Sequence, residues 1–246
     1  MAVQKSDNKK VREMFQIFLR LPLGETAMSP MIVAHPIFDS GTYPIMDEDG
    51  NMELLDIYND NKNCEKAINY VEANILPSVT DIFSALMIIR KPYRLSFLKY
   101  CKDFLSKEDF SVALGDVWCT VESASFDKNV SLNELVRWFK KCDKNKLMNK
   151  EELSYLDSLP DEVSVYRGIG GNGSNKGLSW TDNYDLAVWF AKRWNTKNGY
   201  VIKGKVKKAD ILAYFSGRAG SVVSENGETE LIIAYEDIMD KEMSYL

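Results

Sequence analysis

The sequence predicts an α+β fold, in which a mainly helical N-terminal region, residues 1–160, packs on a split and mostly antiparallel β core, residues 161–246. Apolar residues recur every three or four positions through most of the first region, as they do on one face of a helix. Beyond Pro160, apolar and polar residues alternate over short runs, as they do in strands. Because helices and strands do not alternate along the chain, a parallel βαβ sheet is not expected.

The helical region is predicted to begin with an amphipathic helix near the amino terminus. The apolar face of this helix consists of Val11, Met14, Phe15, Phe18 and Leu19. The stretch over residues 22–51 is punctuated by proline and glycine, and we interpret it as an ordered loop or partner surface. Helical periodicity then returns and predicts helices around residues 62–75, 78–90, 94–106, 108–122, 131–142 and 149–158.

The β region is predicted to contain short strands and one helix, the latter over residues 185–194. Residues 200–207 alternate most strongly, and their apolar positions all fall on one strand face. That face carries Ile202, Gly204 and Val206, and the opposite face carries lysines. The other predicted strands cover residues 163–167, 177–180, 211–215, 222–224 and 228–234.

Composition and charge exclude several classes of function. The chain has 31 Lys and Arg residues against 36 Asp and Glu, a net charge of −5, which disfavours a protein that neutralises nucleic-acid phosphates. Its single histidine, His35, is interpreted as a loop or packing residue. A Ser/His/Asp or Cys/His catalytic set and a metal site built from several histidines are therefore not expected.

The cysteines and the hydropathy pattern predict a cytoplasmic protein. Four cysteines are widely spaced without a CxxC pair, so we expect four reduced thiols. The polar amino terminus is unlike a signal peptide, and no apolar run approaches the roughly 18–20 residues that span a bilayer. We therefore expect no association with a membrane.

Residues 168–173 match the GxGxxG pattern of dinucleotide-binding folds, directly after a predicted strand. That fingerprint requires a helix to begin at the glycines, because the N-terminus of the helix holds the pyrophosphate. Here residues 174–177 lead into another predicted strand instead. The sequence therefore disfavours a Rossmann fold.

Three short motifs remain in the β region: Tyr-Arg-Gly at residues 166–168, Ser-Trp-Thr at 179–181 and Glu-Thr-Glu at 228–230. Their order and context resemble the ADP-ribosyltransferase family, in the Arg–Ser–Glu branch of bacterial toxins and phage-encoded modifying enzymes. In that family an arginine closes the first core strand, an S-T-S-like triplet opens the second, and an E-x-E pair lies on a later strand. The resemblance covers about residues 160–235, and the triplet departs from the family pattern.

The resemblance implies that NAD is the substrate, that its ADP-ribose passes to a macromolecule, and that no metal is needed. Glu230 is the candidate catalytic carboxylate, because cleaving the nicotinamide–ribose bond develops positive charge on the sugar. Glu228 lies two residues earlier on the same strand face and is predicted to position or deprotonate the acceptor. By resemblance, a glutamate at this first position goes with arginine acceptors, so the expected partner is a protein arginine.

The remaining candidate residues are predicted to bind NAD. Arg167 offers a planar fork of donors to the diphosphate, and Gly168 lets the nicotinamide approach its backbone closely. Ser179 is predicted to hydrogen-bond to the ribose or to the glutamate. The set of NAD-binding candidates is completed by Trp180, Thr181 and Phe190.

Other interpretations of these residues stay open at this point. An arginine at a strand end is often part of a surface ion pair, and paired glutamates often protect a sheet edge. On that interpretation the chain is a non-catalytic interaction module with a vestigial NAD cleft. A nucleic-acid-modifying transferase is a further alternative, with a candidate footprint at Lys203, Lys205, Lys207 and Lys208 that equally suits a solvated strand face.

Overall fold

The computed structural model describes residues 5–26, 32–47, 49–121, 127–171, 173–193, 198–217 and 229–246. Within them the chain is α+β, as predicted, and the paired strands run antiparallel. The chain divides into two compact units, Met1–Ala113 and Leu114–Leu246, with the boundary inside a helix. The second unit holds every predicted site residue, and it includes the helices after residue 113 as well as the β region predicted to begin at residue 161.

The first unit combines helices with two short β pairs. Its helices are α1 (Asn8–Leu19), α2 (Asn61–Asn74), α3 (Ile82–Ile88), α4 (Arg94–Cys101) and the first part of α5 (Lys107–Thr120). Its strands are β1 (Gly24–Glu25), β2 (Val33–Ala34), β3 (Thr42–Met46) and β4 (Met52–Asp56), paired β1 with β2 and β3 with β4. Strands β1, β2 and β3 correct the prediction of a loop over residues 22–51, and β4, directly after it, was not predicted either. Strands this short show no clear alternation.

The segment after β2 is folded around His35, which is fully buried, as a packing residue should be. Its Nδ1 accepts hydrogen bonds from the backbone N–H groups of Ile37 and Phe38, at 3.1 and 3.0 Å. Arg90 Nη1 donates to the carbonyl oxygens of Val33, His35 and Phe38 at 2.9, 2.9 and 2.7 Å. One guanidinium group thereby satisfies carbonyls that the short strands leave unpaired.

The second unit begins with helices and continues into strands. After the last turns of α5 come α6 (Leu132–Lys141), α7 (Lys144–Leu147) and α8 (Lys150–Ser158). The remaining elements are β5 (Glu162–Ile169), β6 (Ser179–Trp180), α9 (Tyr184–Lys192), β7 (Tyr200–Lys207), β8 (Ala213–Ser216), β9 (Thr229–Ile232) and β10 (Met239–Tyr245). Neither α7 nor β10 was predicted from the sequence. The strand predicted over residues 222–224 lies outside the described residues.

The strands of the second unit form two three-stranded sheets, with the orders β10-β7-β5 and β6-β9-β8. The sheets meet where Tyr166 of β5 exchanges two backbone hydrogen bonds with Thr181, the residue directly after β6. On β7, Ile202, Gly204 and Val206 are buried and the lysines between them are exposed, which confirms the predicted alternation. The junction of the two sheets brings the ends of β5 and β6 together.

Candidate active site

Arg167 links the two sheets of the second unit. It lies on β5, and its Nη1 donates a hydrogen bond to the carbonyl oxygen of Ser179, where β6 begins. Its Nη2 donates to the carbonyl oxygen of Ser174 at 3.3 Å, so the guanidinium also holds the connection between β5 and β6. Since neighbouring residues of a strand point to opposite faces, Arg167 faces the second sheet and Gly168 faces away from it.

The guanidinium group of Arg167 is buried beneath this connection. Burial lowers the pKa of Arg167, and the negative charge of Glu230 partly opposes the shift. A Cβ atom added at Gly177 would lie 2.0 Å from Nη2, so glycine leaves the room that the guanidinium occupies. The Nε atom is also buried and has no hydrogen-bond partner among the described residues. Within the described residues, the site therefore contains a buried cation whose Nε–H has no acceptor.

Ser179 and Glu230 point to the same side of the second sheet. The register pairs Ser179 with Ile232 and Phe215 with Glu230. Because Glu230 precedes Ile232 by two residues, its side chain is a diagonal neighbour of Ser179 on one face. Both residues are half-buried. Three strands thus bring together the arginine, the serine and the glutamate that the sequence analysis had selected.

A residue that the sequence analysis did not select binds Glu230 directly. Trp118, near the end of α5, donates a hydrogen bond from Nε1 to Oε2 of Glu230 at 3.0 Å. The two residues are separated by 112 positions in the chain. No local pattern predicts a contact over that distance, and the only signal in the sequence is a tryptophan within a predicted helix.

Thr181 uses its hydroxyl group within the fold. The Oγ1 atom accepts a hydrogen bond from the backbone N–H of Asn183 at 3.1 Å and lies 3.4 Å from Oγ1 of Thr229. The side chain of Asn183 in turn accepts from the backbone N–H of Leu186 and caps α9. Thr181 therefore fixes the path from β6 into α9, and its contact with NAD stays a prediction.

Helix α9 packs on the face of β5 that lies opposite Arg167. A Cβ atom at Gly168 would lie 1.8 Å from the carbonyl oxygen of Ala187, so the missing side chain makes room for the helix. This packing is a sufficient reason for glycine, and the predicted approach of the nicotinamide to its backbone stays a prediction. Phe190 belongs to the same helix, half-buried, with its ring 5.0 Å from that of Trp189. The helix and Phe190 consequently lie across β5 from the guanidinium.

Trp180 points away from the face that carries Ser179 and Glu230. It follows Ser179 directly on β6 and is paired with Leu231, so its side chain lies on the other side of the sheet. It is 2% exposed, with its ring 6.5 Å from that of Tyr235. The geometry gives Trp180 a packing role and does not bring its ring to the other candidates. Glu228 lies outside the described residues.

The lysines of β7 lie beside acidic residues. Lys205 forms an ion pair with Glu162 at 2.7 Å, and Lys207 is opposite Glu162 in the register. On the other side of the strand, Lys203 is opposite Glu242. These acids reduce the positive potential of the lysine row, which therefore suits a solvated strand face better than a nucleic-acid footprint.

Within the described ranges, no group of three or more His, Cys, Asp or Glu side chains is placed to hold a metal ion. Over the same part of the chain, no helix has the length and apolar character needed to cross a membrane. The cysteines at 64, 101, 119 and 142 form no disulfide bond with one another.

Comparison with known proteins identifies no relative of this chain. No protein-family model matches it, and neither does a curated protein or a solved structure. The function is therefore inferred from the geometry of Arg167, Ser179 and Glu230 and from the chemistry of these groups.

Proposed function

We propose that this chain is an NAD-dependent mono-ADP-ribosyltransferase in which residues 161–246 form a β core of the ADP-ribosyltransferase type. The observation that carries the proposal is the convergence of Arg167, Ser179 and Glu230 from β5, β6 and β9. These residues are 63 positions apart at the extremes, and they were selected from the sequence for one reaction. The bond from Arg167 to the backbone of Ser179 joins the two sheets, and the register of β9 adds the carboxylate of Glu230 to the same junction.

The reaction suits a carboxylate that is partly shielded from water. Cleavage of the bond between C1′ of the ribose and the nicotinamide nitrogen sends the electron pair to the nicotinamide, and positive charge develops on the sugar. A carboxylate fixed near the ribose stabilises this charge most effectively where water is excluded. Glu230 is half-buried and held by an indole N–H, so it is suited to this role. The acceptor nitrogen then bonds to C1′ and loses a proton, for which Glu228 is the proposed base.

Arg167 is proposed to attract the diphosphate of NAD. Its guanidinium already donates to two backbone carbonyl oxygens, and its buried Nε–H has no partner among the described residues. A buried donor without an acceptor is costly, so a phosphate oxygen that reached it would recover free energy. Such an approach requires the connection over residues 173–178 to move aside. The proposed binding step therefore includes a local opening of this connection.

Release of nicotinamide from NAD by the purified chain tests the proposal. We expect release by the wild-type protein, with water as acceptor, and faster release when a free guanidino compound is added. Glu230→Gln keeps the shape of the side chain and removes its charge, and it should lower kcat by about 10²- to 10³-fold. Glu236→Gln is the matched control, because Glu236 is an exposed glutamate of the same unit.

Two results would overturn the proposed function. One is the absence of nicotinamide release by a folded wild-type protein with every acceptor offered, which favours the non-catalytic interaction module. The other is release that Glu230→Gln leaves at the level of Glu236→Gln, which places the chemistry elsewhere.

A further inference from the structure

The indole of Trp118 is held in a fixed orientation against Glu230. Its Nε1 donates to Oε2 at 3.0 Å, and the side chain is buried. A tryptophan side chain has one hydrogen-bond donor and no acceptor, so this bond accounts for its polar atom. The direction of the N–H bond thus defines where one oxygen of the carboxylate lies.

Aromatic packing supports both partners of this bond. The Trp118 ring meets the ring of Phe139 on α6 edge to face, with centroids 5.3 Å apart. Phe139 is in turn 6.4 Å from Phe215 of β8, which is directly opposite Glu230 in the register. The helix that supplies the donor and the strand that supplies the acceptor are therefore connected through a row of rings. Each such contact restricts the rotamers of its members.

The hydrogen bond has an electrostatic consequence for the carboxylate. An N–H group that donates to a carboxylate stabilises its ionised form, which is the form that can face a positively charged sugar. The bond also removes rotational freedom that the carboxylate would lose on reaching the transition state. A phenylalanine at position 118 would keep most of the packing and lose both effects.

We propose that Trp118 is a positioning residue for Glu230, which holds its carboxylate ionised and oriented toward the bound NAD ribose. The kinetic part of this inference rests on the proposed function, whereas the hydrogen bond itself does not. Trp118→Phe is the informative variant, since it deletes the donor and retains an aromatic ring. Trp138→Phe is its matched control, because Trp138 is an equally buried indole on the neighbouring helix α6.

Kinetics of nicotinamide release test the positioning role. For Trp118→Phe we expect kcat to fall by roughly 10- to 100-fold with little change in KM, because a hydrogen bond to a charged group is lost and NAD contacts are kept. The acid limb of the kcat profile should also move to higher pH, because the ionised carboxylate is no longer stabilised. Trp138→Phe should leave the acid limb in place. An unchanged acid limb in Trp118→Phe would overturn the inference, because loss of packing alone does not move it.

The indole N–H resonances give a test that needs no activity. Trp118→Phe identifies the Trp118 cross-peak in a ¹H–¹⁵N spectrum, and Glu230→Leu, which removes the acceptor, should shift that peak while the Trp138 peak stays in place. If Glu230→Leu leaves the Trp118 peak unmoved, the hydrogen bond is absent and the inference fails. If the peak shifts but the wild-type protein releases no nicotinamide, the positioning of Glu230 stands and the proposed function fails. The two failures are therefore distinguishable.

Discussion

Lowering the pH from about 7 to 5 is expected to destabilise the first unit through one side chain, His35. Its imidazole is fully buried, and Nδ1 accepts two backbone hydrogen bonds, from Ile37 and Phe38. An atom that accepts two hydrogen bonds has no place for a proton, so the fold accommodates the neutral ring only. Burial lowers the pKa of His35 to about 4; the backbone carbonyl groups of Leu21 and Leu19 oppose this shift, and the positive charge of Arg90 adds to it.

The magnitude follows from the shift in this pKa. The ordinary value for histidine is 6.5, so between pH 6.5 and 4 the unfolded chain binds more protons than the folded one. The free energy of unfolding therefore falls as the pH falls through this window. Lowering the pKa from 6.5 to about 4, at about 1.4 kcal/mol for each pH unit, gives a total of about 3.5 kcal/mol, of which about 2 kcal/mol is lost by pH 5. Most carboxyl groups remain ionised at pH 5, so this part of the curve reports mainly the histidine.

Urea unfolding followed by far-UV circular dichroism measures the effect. Tryptophan fluorescence is unsuitable, because all five tryptophans lie in the second unit. The control is His35→Asn, whose side-chain oxygen can accept the same two amides and does not titrate. We expect this variant to be less stable at pH 7 but to lose about 2 kcal/mol less than the wild type on going to pH 5. Equal losses would refute the reasoning, as would an NMR midpoint near 6.5 for the lone imidazole of the folded protein.

Two glycine substitutions in the second unit test separate roles: Gly168 leaves room for α9, and Gly177 leaves room for the guanidinium of Arg167. Gly168→Ala places a methyl group against the backbone of α9, 1.8 Å from the carbonyl oxygen of Ala187, and should cost about 3 kcal/mol or more in urea unfolding followed by tryptophan fluorescence. Ser164→Ala, an exposed change on the same strand, should stay within about 0.5 kcal/mol of the wild type, and an equal cost in both would contradict the proposed clash. The atoms nearest to a Cβ at position 177 belong to the guanidinium of Arg167, so Gly177→Ala should cost less stability, about 1–3 kcal/mol, and raise KM for NAD by displacing that group. An unchanged KM would show that the position of the guanidinium does not matter for NAD binding.

Helices and strands that bury one apolar face were predictable from the sequence. The apolar face of α1 and the alternation of β7 are present as predicted, because one face of each is buried and the periodicity of the sequence records it. Strand β10 was missed for the opposite reason. All of its residues after Met239 are exposed, so neither face selects apolar residues and no alternation results. Its pairing with β7 depends on backbone hydrogen bonds, which the sequence does not encode at single positions.

The residues of the candidate site were easier to predict from the sequence than the contacts between them. Arg167, Ser179 and Glu230 were selected by residue type and order, and the register of three strands explains why they meet. Trp118 was missed because its partner lies 112 residues away. The packing of α9 against Gly168 was missed because a glycine near the end of a strand gives the same signal for a ligand and for a helix. Packing between residues that are distant in the sequence decides between these two roles of the glycine, and no local sequence pattern records that packing.

The burial of Arg167 limits what its substitution can show. Its guanidinium bonds to the carbonyl oxygens of Ser179 and Ser174, so it joins the two sheets whether or not NAD binds. Arg167→Ala would leave these carbonyls unsatisfied and open a cavity, and a loss of activity would then follow from misfolding as readily as from lost phosphate binding. Arg167→Lys keeps the charge but cannot reach two carbonyls from one planar group, so it has the same ambiguity. Glu230→Gln avoids this ambiguity, because glutamine has nearly the size of glutamate and can also accept a hydrogen bond from the Trp118 indole. The charge of Glu230, and not the presence of Arg167, is therefore the feature on which the enzymatic proposal should be judged.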